Sequence, residues 1–207
     1  VCNDGPGFIV NRILMPYLSE ACRVLEEGGD LEAMDAAVAR WGVPMGPAML
    51  MDTIGLDVMT GIFEAMSPKL GERVRASELL NQCVAAGQLG RKSGAGLYLW
   101  PSEKGAKPTP NAERLQMFRV EHSDVDLTAE RFVLLMCNEA ARALDEGVAE
   151  SPDDIDLATL LGTGLAPWRG GIHRHIYDLG RDELVRQLES LAERHGERFE
   201  PAAKLGS

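Results

Sequence analysis

Apolar side chains in the first part of the chain recur at intervals of three and four: Ile9, Ile13, Leu14, Leu18, Ala21, Cys22 and Leu25. That spacing places them on one face of an α-helix. The stripe opens after the turn-forming run Gly5-Pro6-Gly7. It closes at Gly28-Gly29, where glycine takes the left-handed cap without strain. Asp30 then caps a second helix carrying Leu31, Met34, Val38 and Trp41 on one face. Gly42-Val43-Pro44-Met45-Gly46-Pro47 predicts a rigid loop, and further helices are predicted over 48–66 and 72–86. Period-two alternation is missing except at 97–100, after the turn Lys92-Ser93-Gly94-Ala95-Gly96, so only a short strand is expected there.

The stretch 101–126 is polar, contains Pro101, Pro108 and Pro110, and reads as a linker around one short helical piece. A long helix resumes near Thr128, carries Phe132, Leu135, Met136 and Leu144, and stops at Gly147. Ser151-Pro152-Asp153-Asp154 supplies a capping serine, a proline at the first helical position and an acid at the third. The tail after Asp182 is helical again, through Leu184, Leu188 and Leu191.

An internal repeat organises these elements. Glu20-Ala21-Cys22-Arg23-Val24-Leu25-Glu26-Glu27-Gly28 aligns with Glu139-Ala140-Ala141-Arg142-Ala143-Leu144-Asp145-Glu146-Gly147, six of the nine positions being identical. Met34-Asp35 then matches Ile155-Asp156, and Pro44-Met45-Gly46-Pro47 resembles Pro167-Trp168-Arg169-Gly170-Gly171. Chance similarity of two amphipathic helices accounts for the leucines, but not for the ordered caps and elbows. The pattern predicts an all-α fold of two related helical units packed through their repeated apolar stripes.

Composition narrows the function classes. The 207 residues hold 21 Lys+Arg against 32 Asp+Glu, a net charge of -11, so no global positive field exists to attract nucleic acid or an anionic membrane surface. No apolar run approaches the ~18 residues needed to span a bilayer. Cys2, Cys22, Cys83 and Cys137 show no regular spacing, which argues for a reducing compartment without disulfides or a zinc site.

Complete catalytic constellations are missing. Gly94-Ala95-Gly96 and Gly162-Thr163-Gly164 begin a dinucleotide fingerprint, but Leu99 and Pro167 stand where its third glycine belongs, and neither run follows a strand of a βαβ unit. His173 and His175 are two apart, which on a helix sends them to different sides instead of toward one metal; they read as a solvated or capping pair. His122 and His195 sit among charges and read as surface residues. The serines lack a nucleophile-elbow context. Glu26-Glu27 and Asp153-Asp154 read as helix-end electrostatics. Asn11 stands out, a polar amide after Phe8-Ile9-Val10 in the first turn of a long helix. Two readings stay open for it, an end cap or an amide aimed at a neighbouring domain's site.

Three motifs occur in order: Asp4-Gly5-Pro6-Gly7-Phe8-Ile9-Val10-Asn11-Arg12; Pro44-Met45-Gly46-Pro47 with Asp52 and Gly55-Leu56-Asp57; and Gly90-Arg91-Lys92-Ser93-Gly94-Ala95-Gly96-Leu97-Tyr98. Together they resemble the C-terminal helical region of 3-hydroxyacyl-CoA dehydrogenases, a helical domain of the kind also found at the C-terminus of 6-phosphogluconate dehydrogenase. The resemblance covers nearly the whole chain. The second copy, visible at Glu130-Arg131 and over 164–171, is similar to the multifunctional fatty-acid β-oxidation enzymes. Those join enoyl-CoA hydratase, dehydrogenase and tandem helical domains. Single-copy relatives, short-chain 3-hydroxybutyryl-CoA dehydrogenases among them, usually stop after the first unit.

The resemblance implies units at 1–100 and 126–207 around a linker at 101–125. It implies NAD on a Rossmann domain preceding the Gly-Pro-Gly turn, together with a catalytic His held by a Glu; this chain has no counterpart of that dyad, and no cofactor or metal site of its own is expected. A chain that opens at Val1 in a Gly-Pro-Gly turn is expected to be cut from something longer. Asn11 corresponds to the family's site asparagine, whose amide helps position the substrate oxygen and the His. Pro44, Met45 and Leu50 border the acyl end of the substrate by the same resemblance. Glu130 replaces Asn11 in the second copy, which points to a scaffold there.

The expected activity is NAD-dependent oxidation of a 3-hydroxyacyl-CoA to the 3-ketoacyl-CoA when joined to the dinucleotide domain, the chain alone being inactive. Expected partners are the acyl-CoA substrate, the chain's own Rossmann domain, and either a thiolase subunit or a second copy. The alternative is a non-catalytic helical assembly or dimerisation module; an autonomous acyl-CoA-binding module ranks third. Arg91-Lys92 offers charge for CoA phosphates, but a turn with solvated basic tips is the plainer reading. Tyr98 is expected to pack its loop onto the helices. The end Lys204-Leu205-Gly206-Ser207 is not a Ser-Lys-Leu peroxisomal address, which leans toward the bacterial cytoplasm.

Overall fold

A computed structural model of the chain describes residues 2–103, 105–118, 124–203 and 205. Among them the helices are α1 (Val10–Glu26), α2 (Leu31–Trp41), α3 (Pro47–Ile54), α4 (Leu56–Leu70), α5 (Glu78–Ala85), α6 (Ala112–Leu115), α7 (Ala129–Asp145), α8 (Pro152–Thr163), α9 (Ile172–Leu179) and α10 (Arg181–His195). Two two-residue strands, β1 (Tyr98–Leu99) and β2 (Thr109–Pro110), pair antiparallel. The fold is all-α, and the repeat is written into it: α1–α4 find their counterparts, in order, in α7–α10.

The centre is the α1–α7 pair, the most extensive helix contact in the molecule. Both helices run 17 residues, and each is buried on nearly every side. Ile13, Leu18, Phe132 and Ala140 form the apolar seam, and Tyr17 meets Phe132 edge-on with ring centroids 6.3 Å apart. The faces read as polar are buried too, because each unit covers the other's charges. Arg131 of α7 donates from Nη2 to Glu20 of α1 at 2.6 Å and to Glu27 at 2.9 Å. Arg12 of α1 reciprocates with Glu139, and with Glu146 at 2.9 Å. A third arginine completes each cluster: Arg73 Nη1 lies 2.6 Å from Glu139, and Arg198 Nε lies 2.5 Å from Glu20. Arg73 and Arg198 sit in matching 3₁₀ turns with the matching sequences Gly71-Glu72-Arg73 and Gly196-Glu197-Arg198. Burial alone would push the Glu20 carboxyl up; the Arg198 and Arg131 guanidiniums outweigh it and hold it below its usual range.

Local chemistry explains where the structure departs from the expected elements. The helix expected over 48–66 is split into α3 and α4 by Gly55, whose φ of 110° no helix accommodates. The helix expected over 72–86 starts late: Ser77 accepts the Leu80 N–H at 3.2 Å and caps α5 there, leaving a 3₁₀ turn and an irregular stretch before it. The expected caps at Asp30 and Ser151 are present, accepting from the N–H groups of Ala33 at 2.7 Å and Asp154 at 3.3 Å. Part of the polar stretch read as a linker folds back on the first unit. There β2 pairs with β1, and Asn111 donates from its backbone to Leu97 O at 2.9 Å and from Nδ2 to Gly96 O at 2.8 Å. Residues 119–123, with the His122 reading, lie outside the described residues. All four cysteines are free thiols, and burial pushes Cys22 and Cys137 up to about 12.

Candidate functional site

Two carboxylates build the elbow that carries Pro44 and Met45. Asp35, on α2, accepts from the N–H groups of Ala48 at 2.9 Å and Met49 at 3.0 Å, capping α3 from outside its own sequence, and from Tyr98 Oη at 2.8 Å. A Cβ at Gly46 would collide with the Asp35 carboxyl, so the chain can pass here only as glycine. Asp52, on α3, accepts the N–H groups of Leu97 and Tyr98, both at 2.9 Å, and Trp100 Nε1 at 2.8 Å. The hairpin is thus latched to α2 and α3, and Tyr98 does hold its loop onto the helices. Burial raises both carboxyls, Asp35 to about 6, against the pull of their donors.

Asn11 is exposed, in the first turn of α1. It is not an end cap: the N-cap position is Ile9, with no side-chain cap bond. The Asn11 amide makes no hydrogen bond among the described residues. Just before it, Phe8 is 57% exposed and holds φ of 53°, a left-handed conformation that is strained for a bulky residue.

Pro44 is exposed, while Met45 and Leu50 are half-buried. Asn11's neighbour Val10 and the elbow's Pro44 both come to the C-terminal end of α8. A Cβ at Gly162 would sit 2.5 Å from Val10 Cγ2, and one at Gly164 would sit 3.3 Å from Pro44 Cγ. Leu50 lies further along, on α3 beyond the elbow. Two cavities, of about 210 and 150 Å³, lie elsewhere: one between Leu25, Leu31 and Leu115, the other between Ala141, His173 and Ile176. Neither is lined by Asn11, Pro44, Met45 or Leu50.

The remaining candidates are engaged structurally. Lys92 Nζ pairs with Asp57 at 2.5 Å, and Arg91 lies 5.4 Å over the Trp100 ring. His175 is not a solvated residue: it meets Trp41 edge-on at 5.0 Å, and burial lowers its pKa. His195, expected at the surface, is half-buried against Phe199, 3.8 Å from Asp126. Glu26 does more than soften a helix end: it accepts Ser77 Oγ at 2.7 Å and the Leu79 N–H at 3.2 Å. Among the described residues no cluster of three His, Cys, Asp or Glu is placed to hold a metal. A dinucleotide pyrophosphate needs a helix N-terminus fed by a parallel strand; the strands here are two antiparallel pairs of residues, so the described residues do not fit NAD.

The matching positions of the second unit are built differently. Glu130 stands at Asn11's place and is exposed. Tyr177 stands at Asp52's place and is 73% exposed, with no hairpin to bind. The second elbow spans eight residues, 164–171, against five, 42–46, and contains a 3₁₀ turn at Pro167–Arg169.

Fold and surface therefore define a class: a duplicated helical region with one elaborated, open-faced unit and one stripped unit. Residues 7–100 match the family model of the 3-hydroxyacyl-CoA dehydrogenase C-terminal domain. The chain is 40% identical, over 99% of its length, to the fatty acid oxidation complex subunit alpha of Shewanella halifaxensis, of which it covers 29%. It thus spans less than a third of the length of the curated relatives it matches. Among solved structures, 3-hydroxybutyryl-CoA dehydrogenase from Escherichia coli superposes with a TM-score of 0.81 at 28% identity, over 99% of this chain and 60% of that one. The dehydrogenase part of multifunctional enzyme 1 from C. elegans shares the fold, with a TM-score of 0.69 at 21% identity over 98% of this chain and 48% of that one. Residues 7–100 belong to the C-terminal helical domain of the 3-hydroxyacyl-CoA dehydrogenase family. The superposition on the Escherichia coli 3-hydroxybutyryl-CoA dehydrogenase takes in both helical units.

Proposed function

We propose that this chain is the helical, substrate-side region of an NAD-dependent (S)-3-hydroxyacyl-CoA dehydrogenase of fatty-acid β-oxidation, which converts a 3-hydroxyacyl-CoA to the 3-ketoacyl-CoA. The coenzyme and the proton-accepting His belong to a dinucleotide domain outside these residues. The observation that carries the reading is the Asn11 amide, exposed and unpartnered among the described residues, beside a strained turn on an open face. An amide so placed can donate to the substrate oxygen across a domain boundary. Pro44, Met45 and Leu50 form the wall for the acyl end. Holding the acyl group against that wall fixes the reacting carbon relative to the coenzyme.

The test is Asn11→Ala in the full-length protein that contains this chain. Loss of a positioned donor should lower kcat/KM about 100-fold, with the thermal midpoint unmoved; wild-type kinetics would refute the assignment. The isolated chain should reduce no NAD with 3-hydroxyacyl-CoA.

The relatives' naming as subunits of a complex supports a partner subunit, for which a thiolase is our candidate, and their bacterial sources support a bacterial origin, with the cytoplasm our candidate compartment. No helix among the described residues is long and apolar enough to cross a membrane. A second reading, a helical assembly module, is favoured by the exposure of Leu157, Leu161 and Trp168 in the second unit. Sedimentation that stays monomeric at all concentrations would remove self-association.

A further inference from the structure

The elbow at 42–46 is fixed from two sides, and only one of them belongs to its own unit. On the α3 side, Asp35 accepts from Ala48 and Met49 and fills the space beside Gly46. On the α2 side the contacts come from the second unit. Arg169 Nε donates to Trp41 O at 2.7 Å, and the Ala166 N–H donates to Gly42 O at 2.8 Å. The Arg169 guanidinium lies over two indoles, 4.2 Å from the Trp41 ring centroid and 4.4 Å from that of Trp168. Gly42 has φ of 127°, and a Cβ there would meet Arg169 Cγ and Trp168 Cζ2, each at 3.3 Å. Gly164 closes the arrangement against Pro44. Pro44 and Met45 hang between these two anchors.

We propose that Arg169 of the second, degenerate unit is a positioning residue for the acyl wall of the first: by clamping the Trp41–Gly42 backbone it sets where Pro44 and Met45 stand. This rests on the substrate reading above and deepens it. The clamp needs a planar cation that packs against two indoles while donating from Nε, which arginine provides and lysine does not. On that reading a long acyl group offers more contact to the wall than a short one. The clamp therefore acts on chain-length discrimination more than on the chemical step.

The experiment uses the full-length protein with NAD, comparing 3-hydroxybutyryl-CoA with 3-hydroxyhexadecanoyl-CoA. Turnover of neither substrate by the wild type would overturn the substrate reading itself. With the wild type active, Arg169→Ala should lower the long-to-short ratio of kcat/KM about ten-fold, the size of one net hydrogen bond, chiefly through KM for the long substrate. Arg169→Lys should not restore the ratio. Arg174→Ala, which removes an exposed pair with Asp178 and a contact over the Tyr177 ring, should leave it alone. Ala166→Pro deletes the other donor at a φ of -54° that proline accepts, and should shift the ratio the same way if Arg169→Ala does not fold. An unshifted ratio, an equal fall for both substrates, or full rescue by lysine would overturn the clamp while leaving the substrate reading standing.

Discussion

The two helical units share their frame and differ in what they carry. Each has a 17-residue central helix, a glycine stop, a second helix capped by Asp30 or Ser151, and a 3₁₀ turn that carries a half-buried arginine. They diverge in what is mounted on that frame. The first unit has Asn11, Asp52 and a latched hairpin; the second has Glu130, Tyr177 and a longer elbow turned onto its sister. The lesson is that duplication kept the buried charges through which each half completes the other, and let the positions around the first unit's elbow drift apart. The frame is symmetric because neither half's buried ions are satisfied without the other.

That reciprocity gives the largest expected effect. Arg131→Met leaves Glu20 buried with only Arg198, and Arg12→Met leaves Glu139 with only Arg73. Removing one partner from a buried pair costs about 3–5 kcal/mol, because the other charge stays in a dry interior. Both variants should lose stability by that amount in chemical denaturation, and by amounts within about 1 kcal/mol of each other if the halves are equivalent. A large cost in one and none in the other would break the symmetry.

Sequence alone carried part of this. The α1 and α7 stripes, the glycine stops and the caps at Asp30 and Ser151 are local signals, and they were legible. The burial of Arg12 and Glu20 was not, because their partners arrive from the other unit, more than a hundred residues away. A signal did exist: Arg12, Glu20 and Glu27 recur as Arg131, Glu139 and Glu146 at one constant separation, and Gly71-Glu72-Arg73 recurs as Gly196-Glu197-Arg198. Charges that repeat in register with an apolar stripe belong to the interface, not to solvent. The breaks at Gly55 and before Ser77 were missed because apolar periodicity runs on through them. Asn11 stood out as odd by spacing, and only family resemblance gave it a role.

The second effect separates the units. Asp52→Ala orphans three donors at once, those of Leu97, Tyr98 and Trp100. At about 1–3 kcal/mol per unsatisfied buried group, the loss should reach about 3 kcal/mol. It should also release the hairpin, seen as faster amide exchange at Leu97 and Tyr98. Tyr177→Ala at the matching place should move stability by no more than about 0.5 kcal/mol. Comparable losses at both positions would mean the second unit holds a latch of its own.

Asp35 gives a pH signature to the first elbow. Its folded pKa, raised to about 6 by burial, lies above the ordinary carboxylate value of about 3.9. The folded state therefore binds the proton more tightly than the unfolded chain. The stability this contributes is fully present below about pH 4 and is lost as pH rises through about 6. Two pKa units correspond to about 3 kcal/mol at most. Asp35→Asn should flatten that stretch of the stability profile measured from pH 4 to 7. A variant profile that keeps the wild-type slope would assign it to another group.

The smallest expected effect is at Glu130, and it asks whether the second unit can be made into the first. Glu130→Asn restores the amide found at Asn11's place. It should leave both stability and turnover of the full-length protein unchanged, with stability within about 0.5 kcal/mol, as for an exposed side chain. An amide alone cannot make a site, since the surroundings were replaced along with it. Asn11 looks out beside a helix end made of glycines, Gly162 and Gly164, which leave room for Val10 and Pro44. The matching helix end beside Glu130 is Trp41–Gly42, already occupied by Arg169, Trp168 and His175. Burial lowers the Arg169 pKa there, and the Glu130 charge partly offsets that. The second unit spent its own open face on holding the elbow of the first. Gain of turnover in Glu130→Asn, assayed with Asn11→Ala in the same chain, would show that the face is still open and the stack dispensable.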